Sequence, residues 1–261
     1  MPWLLLKFLP WAQVHRTLVI GAALNLFTLI CIVLAVMYAT GRNKGSLLRY
    51  KSIAESCGIE GFHPLKTPQE KEAGWAACQE KIKKVKKGEL RIAVFTGAST
   101  FSYESKQANH LSPLREALLE HKGDLKILMM QKGCGAWKQC IDRFGSGDKA
   151  VRYRRELEDG YDRALDFCDS LAKTKPYDLK SIEVRAYDRP PLWKMVFMGN
   201  EHIWLQYYIR GQHVDDRPAY IVNCAIPGGM AHPLESVFDY RWEMSKDRVL
   251  VHRDETGRRI V

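Results

Sequence analysis

The chain lacks most of the short motifs that mark common catalytic sites. No Cys-x-x-Cys pair occurs, which removes the usual zinc and thioredoxin-type spacings. Glu201-His202 has no second histidine, so the helical zinc-protease signature is absent. Gly145-Ser146-Gly147 does not complete Gly-x-Ser-x-Gly, and no glycine-rich loop runs into Gly-Lys-Ser/Thr. Repeats are limited to the tripeptide His-Pro-Leu at 63–65 and 232–234, which excludes solenoids and propellers. Neither a metal site nor a cofactor is expected. Negative charge is also in short supply: 30 Asp and Glu stand against 40 Lys and Arg, a net charge of +10. A surplus of that sign suits a polyanion such as nucleic acid, nucleotide or anionic lipid.

Cysteine is present, but the seven residues are odd in number and scattered from Cys31 to Cys224. This reads as a set of reduced, structural thiols and points to a cytosol-facing domain. At 261 residues, 46% hydrophobic, the chain is long enough for a well-buried core.

One long uncharged run is present, Thr17 to Gly41. About 20 apolar residues cross a bilayer as a helix, whereas a signal-peptide core is roughly 7–15 residues. Residues 17–41 are therefore expected to form a single-pass transmembrane helix in an inner or plasma membrane. Residues 1–16 read as an interfacial segment with Trp3 and Trp11. Arg42, Lys44, Arg49 and Lys51 follow the run, placing the C-terminal domain in the cytoplasm by the positive-inside bias. Mid-span Asn25 suggests self-association. Of the net charge, +8 falls on residues 42–261.

Residues 42–65 read as a linker. A helix is expected from Pro68, capped by Thr67 with Glu70 three residues on; Trp75, Cys78, Ile82 and Val85 form its buried stripe. Its other face carries Lys81, Lys83, Lys84, Lys86 and Lys87, and Gly88 ends it. Strands are expected at 89–96, 124–130, 181–187, 192–198, 202–208 and 219–223, and helices at 113–121, 149–173 and 233–247. The order βαβαββββα argues a mixed sheet covered by helices.

The strand ending in FTGAST, the pair LREALLEHKGDLKILMM, the late strand IEVRAYD, the hairpin PPLWKMVFMGNEHIWLQYY and the closing LESVFDYRW together resemble one half-repeat of the phospholipase D-like superfamily. The resemblance covers residues 66–247 and leaves 248–261 as a polar tail. It implies an α+β fold, an α/β-like mixed sheet flanked by helices, joined here to the N-terminal transmembrane helix. Catalytic members carry His-x-Lys-x4-Asp on the late hairpin, with a histidine that attacks phosphorus and a lysine that neutralises phosphate oxygens. Here Lys194 falls on the lysine, but Leu192 stands at the histidine and Gly199 at the aspartate. The resemblance thus implies a degenerate site without the usual hydrolysis.

The expected ligand-binding set is Lys194, Asn200, His202 and Arg189 around the hairpin, with Ser99 and Thr100 in the loop after the first strand. The expected role is a membrane-anchored sensor or effector for a phosphate or nucleotide ligand or a partner, in bacterial defence or conjugation. Two alternatives remain. One is a divergent membrane-bound phosphodiesterase or nuclease using Lys194 and His202; the other is a structural subunit of a membrane complex. Expected partners are membrane lipid, a second copy as dimer or higher oligomer, and nucleic acid, nucleotide or a protein neighbour.

Overall fold

The structure is a computed structural model that describes residues 51–85, 87–101, 117–142, 146–173, 179–191, 193–208, 217–254 and 256. The chain divides into two compact units, 1–57 and 58–261. Of the first, residues 51–56 are helical, with Lys51 and Glu55 paired at 3.7 Å one turn apart.

The second unit is built on an eight-stranded mixed sheet. In chain order it holds β1 (Ile59–His63), α1 (Pro68–Lys84), β2 (Leu90–Val94), α2 (Ala98–Phe101), β3 (Asp124–Met130), α3 (Gly135–Asp142) and α4 (Asp148–Lys173). Then follow β4 (Ser181–Tyr187), β5 (Trp193–Met198), β6 (His202–Tyr207), β7 (Ala219–Asn223), α5 (Ala231–Met244) and β8 (Val249–Arg253). The strand order is β1-β7-β6-β5-β2-β3-β4-β8, parallel across β2-β3-β4 and antiparallel elsewhere. The central strands β2 and β5 are buried along their whole length because helices cover both faces.

Local signals explain the helices. Thr67 and Glu70 form the reciprocal capping box, the Glu70 N–H donating to Thr67 Oγ1 at 3.2 Å and the Thr67 N–H to Glu70 Oε2 at 2.9 Å. Cys78 and Ile82 then turn inward as one stripe. α1 lies on the face that bears Lys194, Val196 and Met198. α4 shares that face and packs over β4 and β8. α5 crosses the other face through Leu234, Phe238 and Trp242, above Phe197, Arg91, Lys126 and Arg185.

The expected architecture is corrected in its membrane part. Among the described residues no helix is long and apolar enough to cross a membrane. The helix of spanning length, α4, is charged along its outer face, a pattern that suits one buried stripe and a solvated side. The run 17–41 and the segment 1–16 lie outside the described residues. Two strands also fall beyond the expected domain bounds of 66–247. β1 occupies the segment read as linker; its IEGFH breaks alternation because the pairing with β7 shifts between Ile59 and Gly61. β8 occupies the segment read as polar tail, where VLVHR pairs with β4. α3, between the strand expected at 124–130 and the helix expected at 149–173, starts after Gly133 at φ +81° and uses Cys134 in place of the usual oxygen-bearing cap.

Candidate functional site

Lys194 is the centre of the expected site, and the structure places it in the core. It is wholly buried, on β5 opposite Gln206 of β6. Its Nζ lies 4.6 Å from the centre of the Trp75 ring. A buried cation needs a substitute for water, and an aromatic face supplies part of it. Trp75 stacks on Trp204 at 5.4 Å, and His63 stacks on Trp204 at the same distance. Trp204 Nε1–H donates to Gln206 Oε1 at 3.2 Å, and Gln206 Nε2 donates to the Arg217 carbonyl at 3.2 Å. Cys78 lies beside them; burial pushes its thiol up to about 12 although Lys194 pulls the other way. Burial raises Cys168 likewise to about 12. These are inert thiols, and the six described cysteines are free.

His202 and Asn200 sit at the opposite end of the same hairpin. Gly199, at φ +61°, turns the chain, and Asn200 is exposed beside it. His202 pairs with Met198 while Lys194 pairs with Gln206. That offset is about 13 Å at the rise of a strand, so a joint Lys194–His202 site is not assembled. His202 instead belongs to an ion cluster at the sheet edge. Its Nε2 lies 3.0 Å from Glu60 Oε1, which also accepts from Lys81 Nζ at 2.6 Å. Asn223 Nδ2 donates to Glu60 Oε2 at 3.2 Å. Burial, followed by the nearby Lys81 charge, lowers the His202 pKa despite Glu60. Burial acts to raise Glu60, but Lys81, His202 and Asn223 together hold it below its ordinary value.

The loop after β2 uses several of its amides within its own turn. The Ala98 N–H donates to Thr96 Oγ1 at 3.2 Å, and the Thr100 and Phe101 amides both donate to the Gly97 carbonyl at 2.9 and 2.8 Å. Those donors are spent on the turn. Thr100 is fully buried, and Ser99 lies within α2. Gly97, at φ +72°, packs so closely that an added Cβ would stand 2.7 Å from the Phe101 ring and 3.2 Å from Ala164 Cβ. The loop therefore packs closely against α4. Leu192, which the resemblance sets at the nucleophile position, lies outside the described residues.

A cluster that sequence reasoning missed gathers where the parallel strands end. Phe95 follows β2, and its ring meets Trp137 of α3 at 5.2 Å and Tyr208 at 6.3 Å. Trp137 packs edge-on against Tyr161 of α4 at 5.3 Å. The Phe95 N–H donates to Tyr208 Oη at 2.9 Å, and Tyr187 Oη donates to the Val94 carbonyl at 2.9 Å. Around these rings stand cations. Lys132 is bonded to Asp162 at 2.8 and 2.7 Å, and Arg248 to Asp188 at 2.8 Å. The Arg241 guanidinium lies 5.1 Å over Tyr187, and Arg189 is exposed in the loop after β4. Of the expected set, Arg189 follows β4 at this end, and Ser99 and Thr100 follow β2 there. The sequence carried one signal, the end of three consecutive parallel strands, but the rings come from five separate segments.

Among the described residues no group of three or more His, Cys, Asp or Glu is placed to hold a metal ion. No family model matches the chain, and no curated protein matches it. The phospholipase D-like reading therefore rests on element order and the hairpin residues, and a place in defence or conjugation has no support from comparison.

Proposed function

We propose that the chain is a binding protein that has lost phosphodiester chemistry, and that it takes a phosphate-bearing ligand of nucleotide type at the carboxyl end of β2, β3 and β4. The observation that carries this reading is the composition of that end: an aromatic floor ringed by Lys132, Arg189, Arg241 and Arg248. Asp162 and Asp188 neutralise Lys132 and Arg248, leaving Arg189 and Arg241 in excess among the described residues. Ligands of open α/β sheets bind outside the carboxyl ends of parallel strands. Arginine suits phosphate because its planar fork gives paired, charge-assisted hydrogen bonds, and a half-buried ring such as Tyr208 offers a stacking face.

The absence of turnover follows from the hairpin. Leu192 cannot attack phosphorus and Gly199 cannot support such an attack. Lys194 is wholly buried with its Nζ on the Trp75 ring. Catalysis by that motif needs a nucleophile and a charge stabiliser on one reacting group.

The test uses the purified full-length chain. Calorimetry against mononucleotides and a short oligonucleotide should give saturable binding that weakens with salt. A chromogenic phosphodiester should remain uncleaved. Arg189→Ala, at an exposed loop position, should weaken binding several-fold without altering the melting temperature. Phosphodiester turnover abolished by Lys194→Ala would overturn the reading, as would no binding of either ligand class.

A further inference from the structure

The two outer strands of the sheet are finished differently. β1 carries a register shift at Ile59/Gly61, and Glu60 there is tied to Lys81, His202 and Asn223. A bulge together with a charge blunts a strand against further pairing. β8, at the other edge, also has a register shift, at Leu250, but its residues Val249 to Val251 carry no charge. Among the described residues no strand pairs with its outer side. Val249 is 37% exposed there. Tyr240 and Met244, one turn apart on α5, are 62% and 61% exposed just upstream. These three are among the few large apolar side chains the described surface exposes.

We infer that β8 pairs antiparallel with β8 of a second copy about a two-fold axis at Val251, joining two sheets into one. The sequence of the edge, Arg248-Val-Leu-Val-His-Arg-Asp254, is complementary to itself in that register. Arg248 of one copy stands opposite Asp254 of the other, and the symmetry makes this pair twice. Val249 faces Arg253, Leu250 faces His252, and no like charges are opposed, the condition for stable cross-strand pairs. The dyad runs perpendicular to the sheet, so both α5 helices lie on the same face with their C-terminal ends toward each other. Tyr240 and Met244 then approach the seam, which accounts for apolar side chains at an exposed helix end. Arg248 also bonds Asp188 within its own copy, and its five donors allow both contacts. Asp254 Oδ1 accepts from the Thr256 N–H and hydroxyl at 2.9 and 2.7 Å, which fixes the acid at the strand's end.

Sedimentation equilibrium of the full-length chain tests this over a concentration series. The wild type should dimerise. Arg248→Asp opposes two pairs of acids and should weaken the dimer about tenfold. Arg248→Asp with Asp254→Arg restores opposite charges and should return the dimer to within about threefold of wild type. The Arg248–Asp188 bond within one copy stays broken in the double variant, so recovery of the dimer cannot come from folding. A wild type that is monomeric at every concentration overturns the proposal, as does a dimer unmoved by Arg248→Asp or a double variant no better than the single.

Discussion

The two faces of the sheet each bury a cation, on adjacent strands and in opposite ways. Under α5, Arg91 is 9% exposed with its guanidinium 4.6 Å from the Phe197 ring and 5.7 Å from that of Phe238. It bonds Glu235 at 2.9 Å and Asp239 at 3.3 Å, with Glu89 at 3.5 Å. Lys126 and Arg185 extend that layer over Trp242, with Glu89 and Glu183 as partners. Under α1, Lys194 meets an aromatic ring in a setting of Trp204, Cys78 and Gln206. The first arrangement joins a helix to a sheet by charge as well as apolar contact, since α5 presents acids beside its Phe and Trp. The second seats an ammonium on an aromatic face within a largely apolar layer. A buried ion is weak evidence for stability unless removing it leaves its partners stranded.

This contrast can be broken from either side. Arg91→Ala should have the largest effect, about 3 kcal/mol of destabilisation by chemical denaturation, because Glu235, Asp239 and Glu89 lose their shared cation and the buried Phe197 and Phe238 rings lose its contact. A loss below about 0.5 kcal/mol would show that α5 docks by its apolar residues alone.

Gly74→Ala sharpens the account of the other face. An added Cβ would lie 2.5 Å from Leu65 Cδ2 and 3.4 Å from Trp204 Cη2. Leu65 is wholly buried at φ +56°, so it has little room to yield. The expected cost is about 1–3 kcal/mol, read from the denaturation midpoint.

Lys194→Met should do the least harm of the three, with an expected cost of about 1 kcal/mol, since a similar volume is kept and the cation on the Trp75 face is lost. A loss above about 2 kcal/mol would mean that the ammonium holds the α1 face together.

The smallest effect is on pH dependence. Burial lowers His63 and His121 below the ordinary 6.5, and His202 is lowered by burial and then by Lys81. A folded value below the unfolded one means that stability is full above pH 6.5 and declines as pH falls through the folded values. Glu60, also held low, adds a further loss below its ordinary 4.5. Denaturation midpoints should be level above pH 7 and decline below pH 6.5, with His121→Gln reducing the slope. A level profile down to pH 5 would contradict this.

Much of the sheet was legible in the residues. The strands at 124–130, 181–187 and 219–223 occupy the expected bounds, and β5 and β6 differ from theirs by one residue. Central strands buried on both faces give continuous apolar runs, and Thr67 with Glu70 announces α1. β1 and β8 were not legible. Each is five residues long, and each is recognisable as a strand only from the neighbour that pairs with it. The aromatic cluster at the carboxyl end was equally hidden, because Phe95, Trp137, Tyr161, Tyr187 and Tyr208 are distant in sequence.

Residue type and spacing alone determined that Lys194 lies within an apolar strand, where a charge needs an explanation. What surrounds that lysine was decided by tertiary structure. Period-two alternation says which residues share a face, but not which helix covers it, and α1 brings Trp75 and Cys78 over Lys194 from more than a hundred positions away. Strand register likewise set His202 at the far end of the hairpin, with Glu60 of β1 as its partner. Short-range propensity cannot encode such pairings, because they depend on how the chain returns to itself.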